Sequence, residues 1–422
     1  MTAPPRTPLL RDLTEALVPA LSAAPAVARP RRAQPISVLY GGAHLFRHDA
    51  AKKMGALALA ALDSHGASLG VDDGVLGRVR AKLEREPICD QRVDFEDGYG
   101  VRTSAEEDEH AAAAAREVAR GLAEGTLAPR LGIRVKALSP EAWRRSLATL
   151  EIFFAELAAQ GAPPPAGFVV TLPKVRRSEE VDALARALAA VEDGLGAPRG
   201  ALAMEIMLEA PELLVGERGD VPLARIARAH ADRLESVHVG SYDLTARLDV
   251  LGRDQAMGHP ACDLARLLGK LALAGTGVEL SDGATAVLPV ARKGAPAEEV
   301  SRVVADAWKM HMSDVRESLR RGIHQGWDLH PAQLVSRYAA VFSHYREALP
   351  DMQGRLARFL DAGARASRVG AAFDDAATAE ALVGFFRRGL AAGALDAVDL
   401  DAAGLAPDDL DAPFASIVAR AK

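Results

Sequence analysis

Three carboxylates, Asp94, Glu96 and Asp97, stand within four positions of one apolar run, the stretch RVDFEDGYG at 92–100. Mutual repulsion between them must raise at least one of their pKa values. Strand alternation places Asp94 and Glu96 on one face and Asp97 on the other, so the three acids need not converge. A divalent cation, an arginine or a lysine nearby would turn this repulsion into a stable cluster. We predict that Glu96 and Asp97 face such a cation and that Asp94 is structural.

Other polar residues lie at the ends of further apolar runs. They are His44, Arg134, Lys174, Glu209, Asp243 and His330. Glu209 and Asp243 end two successive runs, and a carboxylate pair with water and a substrate oxyanion is a typical Mg²⁺ site. Taken singly, Glu209 is explained as a helix cap near Pro211 and Asp243 as a turn residue. The pair on successive runs favours a metal site.

The basic residues of this set have more than one interpretation. Arg134 suits a substrate carboxylate in bidentate geometry, and it equally suits the acids of 92–100; the two roles are compatible. Lys174 is expected, in order of preference, to neutralise those acids, to bind substrate, or to form a Schiff base. His44 and His330 are each a candidate base or supporting group, with an ordinary structural role as the alternative.

The elements that position these residues alternate regularly along the chain. Strand-like runs occupy 37–46, 92–97, 132–138, 167–175, 201–209, 236–244, 277–290 and 326–331. Amphipathic helices are predicted at 52–65, 104–124, 140–160, 178–195, 260–274, 297–321 and 332–348. Eight alternating units predict an α/β fold, a (β/α)₈ TIM barrel whose site lies at the carboxyl ends of the strands. The seventh run is predicted to be a hairpin, and no G-x-G-x-x-G follows the first run, as a Rossmann fold would require.

Three regions follow from this pattern. Residues 1–35 are predicted to be an N-terminal arm, 36–349 the barrel and catalytic domain, and 350–422 a helical C-terminal extension. The net charge of −6 without a basic stripe argues against a nucleic-acid partner. The sequence contains no stretch of about 18 uncharged apolar residues, so no membrane-spanning helix is predicted. Two cysteines, Cys89 and Cys262, fit a reducing compartment, and the charges around 12–32 are wrong for an export signal, so we expect a cytoplasmic protein.

Short motifs in these runs resemble one known family. The stretches are VDFED, IRVK, LPKV, IMLEAPELL, VGSYDLTARL and DLHPAQL. In this order they resemble the strand motifs of the HpcH/HpaI aldolase and citrate lyase β-subunit family, within the phosphoenolpyruvate/pyruvate-binding barrels. The chain departs from the family pattern at Lys136, where an asparagine is usual, and in its GGAHLF and HQGWDLHP stretches. The resemblance therefore indicates a divergent branch.

The resemblance implies a Mg²⁺ ion, with Mn²⁺ as a substitute, held by Glu209 and Asp243. It also implies a keto-acid, hydroxy-acid or acyl-CoA substrate whose carboxylate or enolate oxygen is steadied by Arg134. We expect an enzyme that makes or breaks a carbon–carbon bond next to a carbonyl. Asp97 or Glu96 would be the base, with His44 or His330 as alternatives. The resemblance also suggests a homo-oligomer, whereas the charge and hydropathy of the chain predict no nucleic-acid or membrane partner.

Three alternatives to this prediction stay open. One is a Schiff-base aldolase that uses Lys174. Another is a malate-synthase-like enzyme that condenses an acyl-CoA on the same barrel. The third is a non-catalytic keto-acid-binding or accessory protein, although the presence of Glu209, Asp243 and Arg134 argues against it.

Overall fold

The structure is a computed structural model that describes residues 33–361, 367–369, 372–374, 376–410, 412 and 417. The predicted N-terminal arm lies outside the described residues except for its last three positions. Most of the last part of the predicted helical extension, residues 411–422, lies outside them as well. No helix in the described ranges is both long and apolar enough to cross a membrane.

Eight parallel strands close into a barrel in chain order, which confirms the predicted (β/α)₈ fold. They are β1 (Ser37–Gly42), β2 (Asp90–Asp94), β3 (Arg130–Arg134), β4 (Val169–Leu172), β5 (Ala203–Leu208), β6 (Leu234–Val239), β7 (Glu279–Ala284) and β8 (Gln325–Asp328). The last strand pairs with the first, Val38 opposite Trp327, so the sheet has no free edge. All eight carboxyl ends therefore point to one mouth.

Twelve α-helices are present in the described part of the chain. They are α1 (Ala50–His65), α2 (Asp73–Arg85), α3 (Ser104–Glu124), α4 (Trp143–Ala159), α5 (Ser178–Leu195), α6 (Pro222–Ala229), α7 (Ser241–Ala246), α8 (Pro260–Leu273), α9 (Ala297–Arg320), α10 (Pro331–Asp361), α11 (Ala376–Ala391) and α12 (Ala397–Asp401). Local sequence signals explain where several of these helices begin and end. A capping box between Thr103 and Glu106 begins α3, and Gly125 ends it in the left-handed conformation.

Four local predictions are wrong. The seventh run is one parallel strand between β6 and β8, not a hairpin. The sixth strand ends at Val239, and the residues predicted to continue it form α7. The helix expected to end at Ala348 continues to Asp361 through Pro350, so the chain passes from the barrel into the extension within α10. The sequence pattern also predicted no helix at 73–85, because two glycines there lower the helix propensity. The structure has a helix there, α2, and the Asp72 side chain caps its first turn.

The C-terminal extension is not wholly helical. Two short strands, β9 (Ser367–Val369) and β10 (Ala372–Asp374), pair antiparallel between α10 and α11. Apolar residues from α11 and α12, such as Phe386 and Leu400, share one buried cluster with α1, α2, α9 and α10. The extension therefore packs on helices at the side of the barrel.

The barrel interior is more polar than the aliphatic filling expected of this fold. Arg92 forms an ion pair with Asp90 and, at 2.8 Å, with Glu205, and all three are buried. Glu205 also accepts hydrogen bonds from Tyr40 at 2.9 Å and lies 2.9 Å from His238. The tyrosine ring reaches the mouth, so this network underlies the candidate site.

Candidate active site

The turn after β2 is held by Asp94, which is fully buried. Asp94 Oδ1 accepts the backbone N–H of Glu96 at 2.9 Å, and Oδ2 accepts that of Gly98 at 2.8 Å. Because β2 ends at Asp94, Glu96 and Asp97 belong to this turn and not to the strand. The alternation that was expected to separate the three acids therefore does not apply to them.

Arg134, the last residue of β3, draws the three acids together. Its Nε donates to Asp94 Oδ1 at 2.8 Å, and its Nη2 donates to Oδ2 of the same carboxylate. Its Nη1 lies 3.3 Å from Glu96 and 3.9 Å from Asp97. Asp94 thus occupies one edge of the guanidinium, and the two N–H groups of Nη1 and the second N–H of Nη2 are left for other anions. Asp94 therefore contacts both the turn after β2 and Arg134.

Two aromatic rings complete the surroundings of Arg134. The guanidinium carbon lies 4.9 Å from the centre of the Tyr40 ring and 5.4 Å from that of Trp327. Both rings come from inward-facing positions of β1 and β8, and their centroids are 4.5 Å apart. Cation–π contacts of this kind hold a desolvated guanidinium in place. The sequence interpretation missed both residues, although inward alternation along these two strands would have found them.

Lys174 follows β4 in a left-handed conformation, with φ of 54°. Non-glycine residues rarely adopt this conformation, and where they do it often marks a functional position. Its backbone N–H donates to Glu209, and its Nζ contacts Glu96 and lies 2.9 Å from Asp97. The same ammonium is 3.9 Å from Asp243. Lys174 therefore joins the acids of β2 to those that follow β5 and β6.

Glu209 and Asp243 stand on adjacent sides of the mouth. Glu209 follows β5 directly and is buried, whereas Asp243 lies in the first turn of α7 and is partly exposed. Between them, Gly240 permits a close approach, because a Cβ at that position would lie 2.4 Å from Glu209 Oε2. The structure thus brings Arg134, Glu96, Asp97, Lys174, Glu209 and Asp243 to one place.

Burial and neighbouring charges together shift the pKa values of several side chains in this cluster. Burial raises the pKa of Glu96 to about 7, against the opposing charge of Arg134. Burial also acts to raise the pKa of Asp97, but its contacts with Glu96 and Lys174 outweigh that effect and lower it. Burial works to lower the pKa of Lys174, yet the two carboxylates raise it. Two neighbouring acids with separated pKa values are typical of an acid–base pair.

The pKa values of Glu209 and Asp243 are both shifted upwards. Burial, and then the charge of Asp243, raise the pKa of Glu209 to about 8. Burial also raises the pKa of Asp243, although Lys174 opposes the shift. The raised pKa values mean that the ionised forms of both carboxylates are disfavoured. A divalent cation bound between them would stabilise the ionised forms.

The donor set fits Mg²⁺ better than a metal that requires a complete protein cage. In the described ranges no group of three or more His, Cys, Asp or Glu side chains is placed to hold a metal ion. Mg²⁺ is commonly bound by one or two carboxylates, with water and substrate oxygens supplying the rest. Glu209 and Asp243 would be the two carboxylates.

The two candidate histidines lie apart from this cluster. His44, in a short 3₁₀ helix at Ala43–Leu45, has its ring centre 5.6 Å from that of Tyr99 and 6.2 Å from that of His110. His330 precedes α10, and its Nδ1 accepts the backbone N–H of Ala332 at 3.2 Å. Among the described residues neither histidine forms a hydrogen bond or ion pair with the six clustered side chains.

His330 has a structural counterpart that provides a control. His259 precedes α8 and accepts the N–H of Ala261 in the same way, also at 3.2 Å. We expect His330→Ala and His259→Ala each to lower the free energy of unfolding by about 1 kcal/mol, as loss of a helix cap does. Urea unfolding measures this. If turnover slowed about 100-fold or more in His330→Ala alone, the size expected for a lost acid–base group, His330 would instead be the base.

Structural comparison confirms the resemblance at the level of the fold. A citrate lyase from Burkholderia xenovorans LB400 is 18% identical, with a TM-score of 0.59 over 90% of this chain and 98% of that one. The CitE protein of Mycobacterium tuberculosis, solved with magnesium, acetoacetate and coenzyme A, is 19% identical, with a TM-score of 0.50 over 83% and 97%. Haloferax volcanii malate synthase, as its pyruvate/acetyl-CoA ternary complex, is 17% identical, with a TM-score of 0.50 over 93% and 99%.

Sequence comparison assigns the chain to a family. No curated protein sequence matches it significantly. The model of a family described as a domain of unknown function, DUF6986, matches residues 23–416, which include the whole barrel and most of the extension. The chain is therefore a member of the DUF6986 family, built on the barrel that citrate lyase and malate synthase also use.

Proposed function

We propose that this protein is a Mg²⁺-dependent carbon–carbon lyase or aldolase that acts next to the carbonyl of a 2-keto acid or an acyl-CoA. One observation carries the proposal: two metal-type carboxylates, Glu209 and Asp243, share the barrel mouth with Arg134, Lys174 and a Glu96 whose pKa is about 7. The Mycobacterium tuberculosis protein on this fold was solved with magnesium, the keto acid acetoacetate and coenzyme A, which supports a keto-acid or acyl-CoA substrate here.

The residues present divide the work of such a cleavage. Bound Mg²⁺, or Mn²⁺ in its place, would supply an electrophile for the carbonyl oxygen of the keto acid. Arg134 Nη1 places positive charge where negative charge develops as the bond breaks. Lys174 keeps Glu96 and Asp97 in fixed positions through its two contacts.

Proton transfer falls to Glu96 in this scheme, with Asp97 as its partner. Glu96 takes the proton from the hydroxyl group of the departing fragment, and the carbon–carbon bond breaks. The electron pair of that bond stays on the carbon next to the keto-acid carbonyl, which then accepts a proton. A pKa of about 7 lets Glu96 both accept and return a proton near neutral pH. We further expect a small-molecule substrate, a homo-oligomer and a cytoplasmic location.

The environment of Lys174 opposes the Schiff-base alternative. A Schiff-base lysine needs a lowered pKa so that its amine is neutral, whereas Glu96 and Asp97 raise the pKa of Lys174 despite its burial. We expect no covalent adduct when the protein is treated with borohydride and pyruvate, as measured by intact-mass spectrometry, and we expect EDTA to abolish turnover. An adduct at Lys174 together with activity in EDTA would establish the Schiff base.

Thermal unfolding of the full chain tests the proposed function. The protein is melted in EDTA or in Mg²⁺, each with pyruvate, oxaloacetate or acetyl-CoA. A keto acid at 100 times its Kd stabilises by about 2.7 kcal/mol, so a clear rise in Tm is expected, and only when Mg²⁺ is present. Equal shifts in EDTA, or no shift with any keto acid, would contradict the proposal. A Mg²⁺-dependent shift without turnover of any hydroxy-keto acid would favour a binding protein.

A further inference from the structure

A cavity of about 840 Å³ lies between the barrel and its C-terminal extension. Three of the residues that line it, Gln34, Glu279 and His324, stand before or at the start of β1, β7 and β8. The cavity therefore adjoins the amino ends of the strands, opposite the mouth that holds Glu209 and Asp243. Ligand pockets have volumes of roughly 300–1,000 Å³ and are often found where two domains meet, so this cavity is large enough for a small organic molecule.

Apolar side chains from both parts of the chain line this cavity. Leu319 of α9 and Val341 of α10 come from helices that cover the barrel. Ala391 of α11 and Leu410 of the 3₁₀ helix Pro407–Leu410 come from the extension. An apolar group that enters the cavity would leave water and pack on these side chains.

The charged residues of the cavity are mostly basic. Arg387 and Arg388 of α11 line it, and in the described ranges Glu279 is the only acidic residue that does so. Glu279 forms no ion pair with either arginine among the described residues. Arg387 donates to the backbone carbonyl of Leu410 at 3.2 Å, whereas the guanidinium of Arg388 has no hydrogen-bond or ion-pair partner in the described part of the chain. Arg388 is half-buried, so its charge is left uncompensated where water is scarce.

Two further polar residues of the cavity lie within reach of the charge of Arg388. His324 Nδ1 is 3.1 Å from the hydroxyl oxygen of Tyr345. Burial, and then the charges of Arg388, Lys270 and His344, lower the pKa of His324 to about 2, so its ring is neutral. Burial raises the pKa of Tyr345 to about 12 against the charge of Arg388. Neither pKa is shifted by a carboxylate, so no acid balances Arg388 beside these two rings.

We propose that this cavity binds a small organic anion with an apolar chain. The charged group of the ligand, a carboxylate or a phosphate, contacts Arg388, and the chain packs on Leu319, Val341 and Leu410. A guanidinium recognises both kinds of anion through paired hydrogen bonds. Because the cavity adjoins the amino ends of the strands, its ligand is not the molecule cleaved at the mouth, and binding there does not depend on the proposed function.

Calorimetric titration of the full chain with octanoate, octyl phosphate and 1-octanol tests this site. EDTA is present throughout, so that Mg²⁺-dependent binding at the mouth does not contribute. Saturable binding of at least one anion to one site per chain is expected, with 1-octanol about tenfold weaker or more, the size of a hydrogen bond to a charged group. The tighter anion identifies the charged group as a carboxylate or a phosphate. No saturable binding of either anion, or equal affinity for 1-octanol, would overturn the proposal.

Two variants separate the charge of the cavity from its space. Arg388→Gln should weaken binding of the tighter anion about tenfold or more. Ala391→Phe should abolish that binding, because the ring occupies the space of the apolar chain. Neither should lower the Tm of the ligand-free protein much, since the Arg388 guanidinium has no partner among the described residues and Ala391 is exposed.

Arg186→Gln is the matched control for the loss of charge. Arg186 is exposed on α5 and does not line the cavity, so this variant should bind the anion with wild-type affinity. An equal loss of affinity in Arg186→Gln and Arg388→Gln would mean that only the net charge of the protein attracts the anion. That result, or wild-type anion binding in Arg388→Gln or in folded Ala391→Phe, would overturn the proposal.

Discussion

Replacing Glu209 with glutamine is expected to abolish Mg²⁺-dependent turnover, with a loss of about 10³-fold or more. Glutamine keeps the size of the side chain and removes the charge that a cation requires. Loss of an electrophile that contributes several kcal/mol to the transition state corresponds to this factor, at 1.36 kcal/mol for each tenfold. The Tm increase that Mg²⁺ gives with pyruvate should disappear as well. Steady-state kinetics and thermal melts measure the two effects.

The same substitution should change the pH dependence of the metal-free protein. The pKa of Glu209 is raised from its ordinary value to about 8, so its protonated form favours the folded state. The corresponding stability is fully present below about pH 4.5, the ordinary pKa of a glutamate, and is lost as pH rises towards 8. In EDTA, Glu209→Gln should lose less stability than the wild-type protein over this range.

Glu212 provides the control for Glu209→Gln. It lies three residues further on, is partly exposed and forms ion pairs with Arg176 and Arg247. Exposed ion pairs contribute roughly 0–1 kcal/mol, so Glu212→Gln should have little effect on stability and none on the response to Mg²⁺. If Glu209→Gln responded to Mg²⁺ as the wild-type protein does, Glu209 would not be a metal ligand and the proposed metal site would be wrong.

The second large effect is expected for Asp94→Asn. This substitution breaks a buried pair and leaves the Arg134 guanidinium without its bidentate partner, which costs about 3–5 kcal/mol of unfolding free energy. It also weakens the two backbone hydrogen bonds that fix Glu96 and Gly98. Because Glu96 and Arg134 both shift, kcat/KM should fall about 10²-fold or more, the size associated with a 1 Å misplacement. Urea unfolding and kinetics separate the two losses.

The chain offers a close match for this pair away from the mouth. Glu192 is buried, forms a bidentate pair with Arg233 and accepts the backbone N–H groups of Gly200 and Leu202. Glu192→Gln should therefore destabilise the protein by a similar amount, about 3–5 kcal/mol, while kcat/KM stays near the wild-type value. Equal losses of activity in both variants would mean that Asp94 acts only through stability.

Periodicity and strand ends were enough to predict the barrel and most of its candidate site. Alternating runs and helices gave all eight strands, because each buried strand carries a short apolar run with polar residues at its end. Arg134, Lys174 and Glu209 stand at or beside strand ends as expected. Register then brings them together without any further information.

The errors have identifiable causes. Asp243 was assigned to a strand because α7 is only six residues long, too short for a helical period to show. The acids of 92–97 were assigned to alternating faces because nothing local indicates that β2 ends at Asp94. The end of α10 was misplaced because proline usually marks a helix boundary, whereas tertiary packing carries this helix through Pro350.

Other features could not have been predicted at all. The ion pair between Arg134 and Asp94 depends on side-chain geometry across two strands, β2 and β3. A hydroxyl or an indole in a sequence does not show whether it has a hydrogen-bond partner, and the buried Ser241 Oγ and Trp327 Nε1, which have none among the described residues, are examples. Hydrogen-bond accounting of this kind requires coordinates.

Proton exchange at the methyl group of pyruvate tests the central claim most directly. The protein is incubated with pyruvate in D₂O, and the loss of the methyl signal is followed by proton NMR. The account predicts rapid exchange with wild-type protein in Mg²⁺, and exchange at the uncatalysed rate in EDTA or with Glu209→Gln. Exchange that continues unchanged in EDTA, or none with wild-type protein that binds pyruvate in Mg²⁺, would contradict it.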